Sequence, residues 1–197
     1  SPNAGWADYY GNEDFFKAYP NDDRKEWNYM TEWKIKSGEI IPYTESADKL
    51  PAISKYYDYD EGAPGKSAQS NGITCIYRYA EVLLMYAEAS TRATNSVNQD
   101  ALNAIQEVQK RAGYQNRQIE LTTTTEPAAF LAAVSNERGW EFFAEMKRWF
   151  ELVRLEKVKE VRAEEWDAST FNTNHHYYFP VPYQQVDLAG WTNNAGY

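Results

Sequence analysis

The chain has 197 residues, of which 43% are hydrophobic and 16% aromatic, and its formal net charge is −9. This length suits one domain with a substantial core. The acidic balance argues against nucleic-acid binding, which needs a basic surface. No run of 18 apolar residues is present to span a membrane. The one cysteine, Cys75, excludes an internal disulfide and is best read as a small buried hydrophobe.

The first part of the chain, residues 1–72, is predicted to be a loop-rich segment with short helices. A helix is expected from Glu13 to Tyr19, because Pro20 stops it. Residues 27–35 alternate loosely and favour a strand, and a hairpin with residues 40–42 would follow.

Residues 58–72 contain near-matches to two ligand-binding motifs, but neither motif is complete. Residues 60–67 nearly spell a phosphate-binding P-loop, but Asp60 stands where the first glycine belongs and no apolar strand leads in. The spacing of Asp58 and Asp60 begins like a calcium loop, but Gln69 occupies the twelfth position, which needs a bidentate glutamate. A solvated loop, with at most a casual surface ion, is the prediction.

The stretch from Tyr77 to about Arg92 predicts a helix, since it lacks glycine and proline and is rich in Ala, Leu, Met and Glu. We predict that this helix is mostly buried, because apolar residues cover most of its circumference. One apolar face consists of Tyr79, Val82, Leu83, Tyr86 and Ser90, and a second consists of Ala80, Leu84 and Ala87. The polar stripe between them consists of Arg78, Glu81, Met85 and Glu88. Tyr86 is expected to be a core residue.

Two further helices are predicted downstream. Residues 100–112 form a helix with Gly113 as its C-cap, and this helix pairs with the preceding one as an antiparallel hairpin of tetratricopeptide size. Another helix runs from Glu126 to about Glu145, capped by Thr125. A further helix or turn continues to residue 161, and residues 171–197 are extended apart from a short turn at 183–188.

Charged residues on these helices predict buried ion pairs, because a charge on an enclosed helix needs a partner. We expect Glu81 or Glu88 to pair with Arg138 or another arginine of the third helix, and Arg78 with Glu137 or Glu141. Glu137, Glu141 and Glu145 lie four residues apart, so the spacing alone allows a glycosidase acid/base pair. One helix surface does not grip both faces of a sugar ring, however, so structural pairing is the prediction.

His175 and His176 suggest no metal centre. Neighbouring residues of an extended segment point in opposite directions, which suits neither chelation nor a proton relay. No cofactor and no metal are expected.

Two stretches resemble motifs of the SusD/RagB family. Residues 78–89 match its Arg-x-Ala-Glu-Val-Leu-Leu-Met-Tyr-Ala-Glu-Ala helix, with Tyr79 at the free position, and residues 137–154 match a later Glu-Arg…Trp-Phe-x-Leu-x-Arg stretch. Residues 21–25 resemble a family segment in which charge packs onto the helical body, and 180–182 and 194–197 resemble its Pro-Val-Pro and terminal segments. Four departures are Gly139 for Arg, Met146 for Gly, Glu151 for Asp and Ala195 for Pro.

The resemblance implies a mainly α fold, with a TPR-like helical body, long aromatic-rich loops and short extended segments. It implies one domain, residues 1–197, divided into a loop-rich segment (1–72), a helical body (73–161) and an extended tail (162–197). Family members are much longer and begin with a lipoprotein signal, which is not visible here, so the chain looks like a C-terminal piece of such a protein.

The function that the resemblance implies is non-catalytic binding of glycans by a surface-exposed lipoprotein of the outer membrane. Such a protein delivers oligosaccharide to a TonB-dependent, SusC-like transporter. The alternative is a helical-repeat scaffold for protein interactions without a sugar site, and a glycoside hydrolase is the weakest reading.

An aromatic segment near the start of the chain is the candidate sugar site. Flat rings stack on the apolar faces of sugars, and amide and carboxylate groups bond their hydroxyls. The residues expected to bind carbohydrate are Trp6, Asp8, Tyr9, Tyr10 and Asn12, with Asn3 nearby. Secondary candidates are Trp27, Trp33, Tyr56, Tyr57 and Tyr59. Packing onto the helices is the competing interpretation for each single ring.

Overall fold

The computed structural model describes residues 10–35, 37–56, 73–161 and 176–197, and it confirms the mainly α fold class with a TPR-like helical body and short extended segments. The chain divides into two compact units, Ser1–Met146 and Lys147–Tyr197. The division into segments 1–72, 73–161 and 162–197 of one domain stays a prediction.

Short helices and strands form the start of the first unit, and three longer helices follow. The helices are α1 (Glu13–Ala18), α2 (Asp23–Asn28), α3 (Tyr79–Thr94), α4 (Gln99–Arg111) and α5 (Pro127–Glu141). The strands are β1 (Tyr29–Met30), β2 (Glu32–Lys34), β3 (Ile40–Pro42) and β4 (Ala52–Ile53), with a 3-10 turn at Tyr43–Glu45.

The hydrophobic core lies where α3 packs against α4 and α5. One face of α3 contributes Leu84 and Ala87, which are fully buried with Ile105 of α4 and Phe130 and Val134 of α5. The turn between α3 and α4 is closed from both sides: Asn95 takes the left-handed conformation that ends α3, and the Asn98 side chain accepts a hydrogen bond from the Ala101 amide. The predicted helical hairpin is therefore confirmed.

The extended segments pair in two small antiparallel sheets. β2 pairs with β3, with Trp33 opposite Ile41, which confirms the predicted hairpin. β1 pairs with β4, with Tyr29 opposite Ile53. The predicted strand at residues 27–35 is wrong at its start, because Trp27 and Asn28 belong to α2. The Asp22 side chain accepts from the Arg24 amide and begins a helix there.

Helix α5 (Pro127–Glu141) begins one residue later and ends four residues earlier than the predicted span of Glu126 to Glu145. Its N-cap is Glu126, whose carboxylate accepts a hydrogen bond from the Ala129 amide at 2.6 Å, so Thr125 is not the cap. The helix ends at Glu141 rather than Glu145. Beyond it Ala144 and Met146 adopt φ of 59° and 60°, the left-handed region that favours glycine. Met146 stands where the family motif has glycine, so the chain keeps this turn without the residue that suits it.

The prediction that α3 is mostly buried is wrong for one of its faces. Tyr79, Val82 and Tyr86 are 67%, 54% and 45% exposed. The core of the first unit is filled from the opposite side of the helix, so Tyr86 is not a core residue. Cys75 is also exposed rather than buried.

Within residues 147–161 and 176–197, the described part of the second unit, the helices are α6 (Arg148–Arg154), α7 (Val158–Val161) and α8 (Tyr183–Ala189). The terminal segment of this unit is fastened by asparagine side chains. The Asn193 side chain accepts from the Val181 amide at 2.8 Å, and the Asn194 side chain donates to the Phe179 carbonyl at 2.6 Å. The terminal segment thereby closes back onto the Pro-Val-Pro segment within this unit.

Candidate functional site

Two residues of the predicted carbohydrate-binding set lie in the described part of the chain. The ring of Tyr10 is half-buried, and its hydroxyl donates to Asp48 Oδ2 at 2.7 Å. This hydrogen bond, burial and the charge of Asp48 raise the pKa of Tyr10. The Asn12 side chain accepts from the Phe15 amide and begins α1, so it has a structural task. Trp6, Asp8 and Tyr9 lie outside the described residues.

The backbone between these two residues is fixed by a close approach. The Gly11 amide donates to the Pro51 carbonyl at 2.9 Å, and Tyr10 bridges to Ala52. A Cβ at Gly11 would lie 2.5 Å from the Tyr29 ring, which no real side chain tolerates. The chain at Tyr10–Asn12 is therefore held against residues 48–52.

Many of the aromatic rings are used for packing. The Tyr29 and Phe143 ring centroids lie 4.5 Å apart, those of Phe16 and Tyr29 4.8 Å apart, and those of Phe15 and Phe143 6.0 Å apart. The Tyr19 hydroxyl donates to the Trp140 carbonyl at 2.7 Å. These contacts join α1 and β1 to the end of α5, so packing is the role of this group of rings.

Other rings remain open to solvent. Trp27, at the end of α2, is 65% exposed, and Tyr56 is also exposed, whereas Trp33 is half-buried. Tyr57 and Tyr59 lie outside the described residues. Trp27 and Tyr56 are thus the secondary candidates whose rings another molecule could reach.

A cluster of buried charges lies beside these segments, and Glu141 is at its centre. Its Oε1 accepts from Arg78 at 2.7 Å and from Arg111 at 2.6 Å, while Oε2 accepts from Arg24 at 2.8 Å. Burial raises the pKa of Glu141, but the hydrogen bond from Arg78 and the charges of Arg111 and Arg24 outweigh burial and lower the pKa below its ordinary 4.5. Glu141 is therefore ionised and fully engaged.

The other two glutamates of the series are engaged as well. Glu137 accepts from Arg24 at 2.6 Å and from the Tyr114 hydroxyl at 3.0 Å. Glu145 accepts from Lys55 at 2.6 Å and from Arg78 at 2.7 Å. Carboxylates held in this way cannot flank a sugar bond as free acid and base, because their lone pairs already point at fixed donors.

The predicted ion pairs of α3 are confirmed in part. Arg78 pairs with Glu141 as expected, and Glu81 lies 3.8 Å from Arg138. Glu88 instead pairs with Arg92 on its own helix at 2.8 Å. The expected partner of Glu137 on α3 is replaced by Arg24.

Arg24, Lys55 and Arg111 are cluster members that the pairing prediction missed. The signal for Arg24 was present in the resemblance of residues 21–25 to a charged segment that packs on the helical body. Arg24 also binds Asp22, the N-cap residue of its own helix, at 2.6 Å. Its bonds to Glu137 and Glu141 join α2 to α5. Lys55 and Arg111 lie far along the chain from Glu145 and Glu141, so helical periodicity could not predict their contacts.

Neither a membrane span nor a metal cluster occurs in the described ranges. None of the helices there has the length and apolar character needed to cross a bilayer. Likewise, among these residues no three His, Cys, Asp or Glu side chains are grouped as a metal ion would require.

In the described residues, a helical body carries an aromatic-rich segment that buried ion pairs fasten to it. The SusD family model matches residues 2–197. The chain belongs to the SusD family, which confirms the resemblance.

Individual relatives agree with this assignment. SusD-like protein P2 of Formosa agariphila is 28% identical over 200 residues, covering 92% of this chain and 39% of the relative. A SusD superfamily protein from Parabacteroides distasonis superposes with a TM-score of 0.77 at 24% identity, covering all of this chain and 45% of that one. Surface glycan-binding protein A of Bacteroides uniformis gives a TM-score of 0.64 at 26% identity, covering 93% of this chain and 40% of that one. The chain thus spans less than half the length of these relatives.

Proposed function

We propose that the chain is part of a non-catalytic glycan-binding protein. The observation that carries the proposal is the SusD family match over residues 2–197, together with 26% identity to a protein described as surface glycan-binding. The open rings of Trp27 and Tyr56 and the placement of Tyr10 are compatible with stacking on sugar faces.

The proposed platform is the segment that carries Trp6, Asp8, Tyr9, Tyr10 and Asn12. Binding residues concentrate on loops held by a rigid scaffold, and the Gly11–Pro51 hydrogen bond supplies such a hold for the end of this segment. Stacking on one or two rings is weak, so a Kd between about 1 μM and 1 mM is expected.

The absence of catalysis is supported by the state of the carboxylates on α5 and in the turn that follows it. Glu141 has both oxygens bound to arginines, and Glu137 and Glu145 have arginine or lysine partners. A reducing-sugar assay on glycans that bind should detect no release by the wild type. Hydrolysis that disappears in Glu141→Gln would contradict this part of the proposal.

The cellular setting is also proposed rather than observed. By family membership, the complete protein is a lipoprotein at the outer-membrane surface that passes oligosaccharide to a TonB-dependent, SusC-like transporter. Co-purification of the complete protein with that transporter, and its loss on removal of the lipid anchor, would test both statements.

The test of the sugar site is calorimetric titration of the 197-residue chain with a panel of oligosaccharides. Trp6→Ala and Tyr10→Ala should each weaken binding by at least about tenfold, while the melting temperature stays within a few degrees of the wild type. Tyr10→Phe is the matched control, because it keeps the ring and removes only the hydroxyl that bonds Asp48.

The outcomes separate the alternatives. If Trp27→Ala or Tyr56→Ala abolishes binding and Trp6→Ala does not, the site lies on the secondary rings. If neither the chain nor the complete protein binds any glycan on an array, the helical-repeat scaffold becomes the better reading.

A further inference from the structure

An aromatic ring and a carboxylate meet at the surface of the first unit. The Tyr10 hydroxyl donates to Asp48 Oδ2 at 2.7 Å, although 38 positions separate the two residues. The ring of Tyr10 is half-buried and Asp48 is exposed. Asp48 has no local signal that marks it for a site, because tertiary packing alone brings it to Tyr10. We call these two residues the Tyr10–Asp48 pair.

The backbone on both sides of the pair is held in place. The Ser46 hydroxyl oxygen accepts a hydrogen bond from the Lys49 amide at 3.0 Å, which closes the turn that contains Asp48. Lys49 has a φ of 52°, a left-handed conformation that persists only where the surrounding structure imposes it. On the other strand the Gly11 amide donates to the Pro51 carbonyl at 2.9 Å. A ligand that binds the pair therefore has little loop entropy to remove.

The hydrogen-bonding capacity of the pair indicates what it can bind. An ionised carboxylate only accepts hydrogen bonds, and the one phenolic proton of Tyr10 is already donated to Asp48. The raised pKa of Tyr10 keeps that proton on the phenol. Among the described residues, none donates to Asp48 Oδ1. A ligand at this edge must therefore bring its own donors, as the hydroxyls of a sugar do when its apolar face lies on the ring.

The charge around the pair disfavours an anionic ligand. Residues 10–18 and 43–52 contain the carboxylates of Glu13, Asp14, Glu45 and Asp48 and the ammonium groups of Lys17 and Lys49. Lys17 is already bound to Glu13 at 3.1 Å. A uronate or sulfated sugar would bring a second negative charge against Asp48, and like charges in contact lower affinity.

We propose that Asp48 is a specificity-determining residue of the glycan site. It accepts hydrogen bonds from the hydroxyls of a neutral sugar that stacks on Tyr10, and it disfavours uronates and sulfated sugars. The inference rests on the proposed glycan binding and adds the class of sugar and the residue that selects it. The competing role for Asp48 is to hold the Tyr10 ring without touching the ligand.

Two variants of the pair separate these roles by calorimetric titration of the complete protein with a neutral oligosaccharide that it binds on a glycan array. Asp48→Asn keeps an oxygen for the Tyr10 hydroxyl but loses the charge, so it should weaken binding at least about tenfold. Tyr10→Phe removes the bond within the pair but keeps the ring and the carboxylate, so it should weaken binding less. A carboxylate that only holds the ring would give the reverse order, which would overturn the proposal.

The control for net charge is Glu107→Gln, an exposed position on α4 that should leave binding unchanged. Because Asp48 is exposed as well, the melting temperature of Asp48→Asn should stay within a few degrees of the wild type.

Selectivity is measured with the same oligosaccharide after its primary hydroxyls have been oxidised to carboxylates. The wild type should bind this acidic form at least about tenfold more weakly than the neutral form, and Asp48→Asn should reduce that preference while Glu107→Gln keeps it. Equal binding of the two forms by the wild type, or binding of acidic glycans alone, would overturn this inference and leave glycan binding intact. If no glycan binds, the proposed function fails and this inference fails with it.

Discussion

Met146 shows how one residue can be at odds with its backbone conformation. Its φ of 60° lies in the left-handed region, where a Cβ costs about 1–2 kcal/mol, and its side chain is 89% exposed and so gains little from packing. The family motif has glycine at this position.

We therefore expect Met146→Gly to stabilise the chain. The gain should be about 1 kcal/mol, or a rise in melting temperature of roughly 2–4 °C. Thermal unfolding followed by circular dichroism measures it. Met146→Ala is the control, since it keeps the Cβ and should give no such gain. A loss of stability in the glycine variant would show that the turn is not strained.

Glu141 illustrates a residue whose charge is needed by several partners at once. Glu141→Gln removes the negative charge facing Arg24, Arg78 and Arg111. It leaves the largely buried Arg24 and the partly buried Arg78 without full compensation, whereas Arg111 is exposed to solvent. A loss of about 3–5 kcal/mol in the free energy of unfolding is expected from urea denaturation.

The same residue predicts an acid dependence with a definite sign. The folded pKa of Glu141 lies below its ordinary 4.5, so the ionised group stabilises the fold above about pH 4.5. That stability is lost as the pH falls through the lower folded pKa. The wild type should therefore lose more stability than Glu141→Gln between pH 5 and the folded pKa. Parallel pH profiles of the two proteins would contradict this account.

At the scale of elements, the two faces of α3 should respond differently to truncation. Leu84 is fully buried against α4 and α5, whereas Tyr86 is 45% exposed. Leu84→Ala should cost about 2–5 kcal/mol, because it leaves a cavity in the core. Tyr86→Ala should cost no more than about 1 kcal/mol in the 197-residue chain. Equal losses on urea denaturation would return Tyr86 to the core.

The elements also show which parts of the structure a sequence can predict. The helices α3, α4 and α5 were predictable because their apolar spacing and local caps are encoded within a few residues. The end of α5 was not, since residues up to Glu145 keep a helical pattern while the chain turns at Glu141. The contacts of Lys55 and Arg111 with Glu145 and Glu141 depend on tertiary packing that has no local signal.

The exposed face of α3 was predicted wrongly for a related reason. Periodicity reports that a face is apolar, but it does not report whether another element of the chain packs against that face. The candidate sugar residues are predictable only as a class, because ring type and turn composition indicate a platform without fixing its geometry. Asn12 is an example, because its side-chain oxygen accepts a hydrogen bond that caps the start of α1.

At the scale of the whole molecule, the complete protein should bind glycan at least as tightly as this chain. The chain spans about two fifths of these relatives, and a gene product of their length would offer additional surface for a glycan. Calorimetry on both proteins with the same oligosaccharide measures the difference. Binding by the complete protein alone would assign essential contacts to the additional region, whereas tighter binding by this chain would argue against any such contribution.

The contact between Arg24 and Glu137 has a consequence for the order of folding. It joins residues 113 positions apart, whereas α3 and α4 meet through a short turn. Closing the longer loop loses more chain entropy, so the hairpin should form first and the start of the chain should dock late. Substitutions at Arg24 should then accelerate unfolding with little effect on the refolding rate, whereas Leu84→Ala should slow refolding.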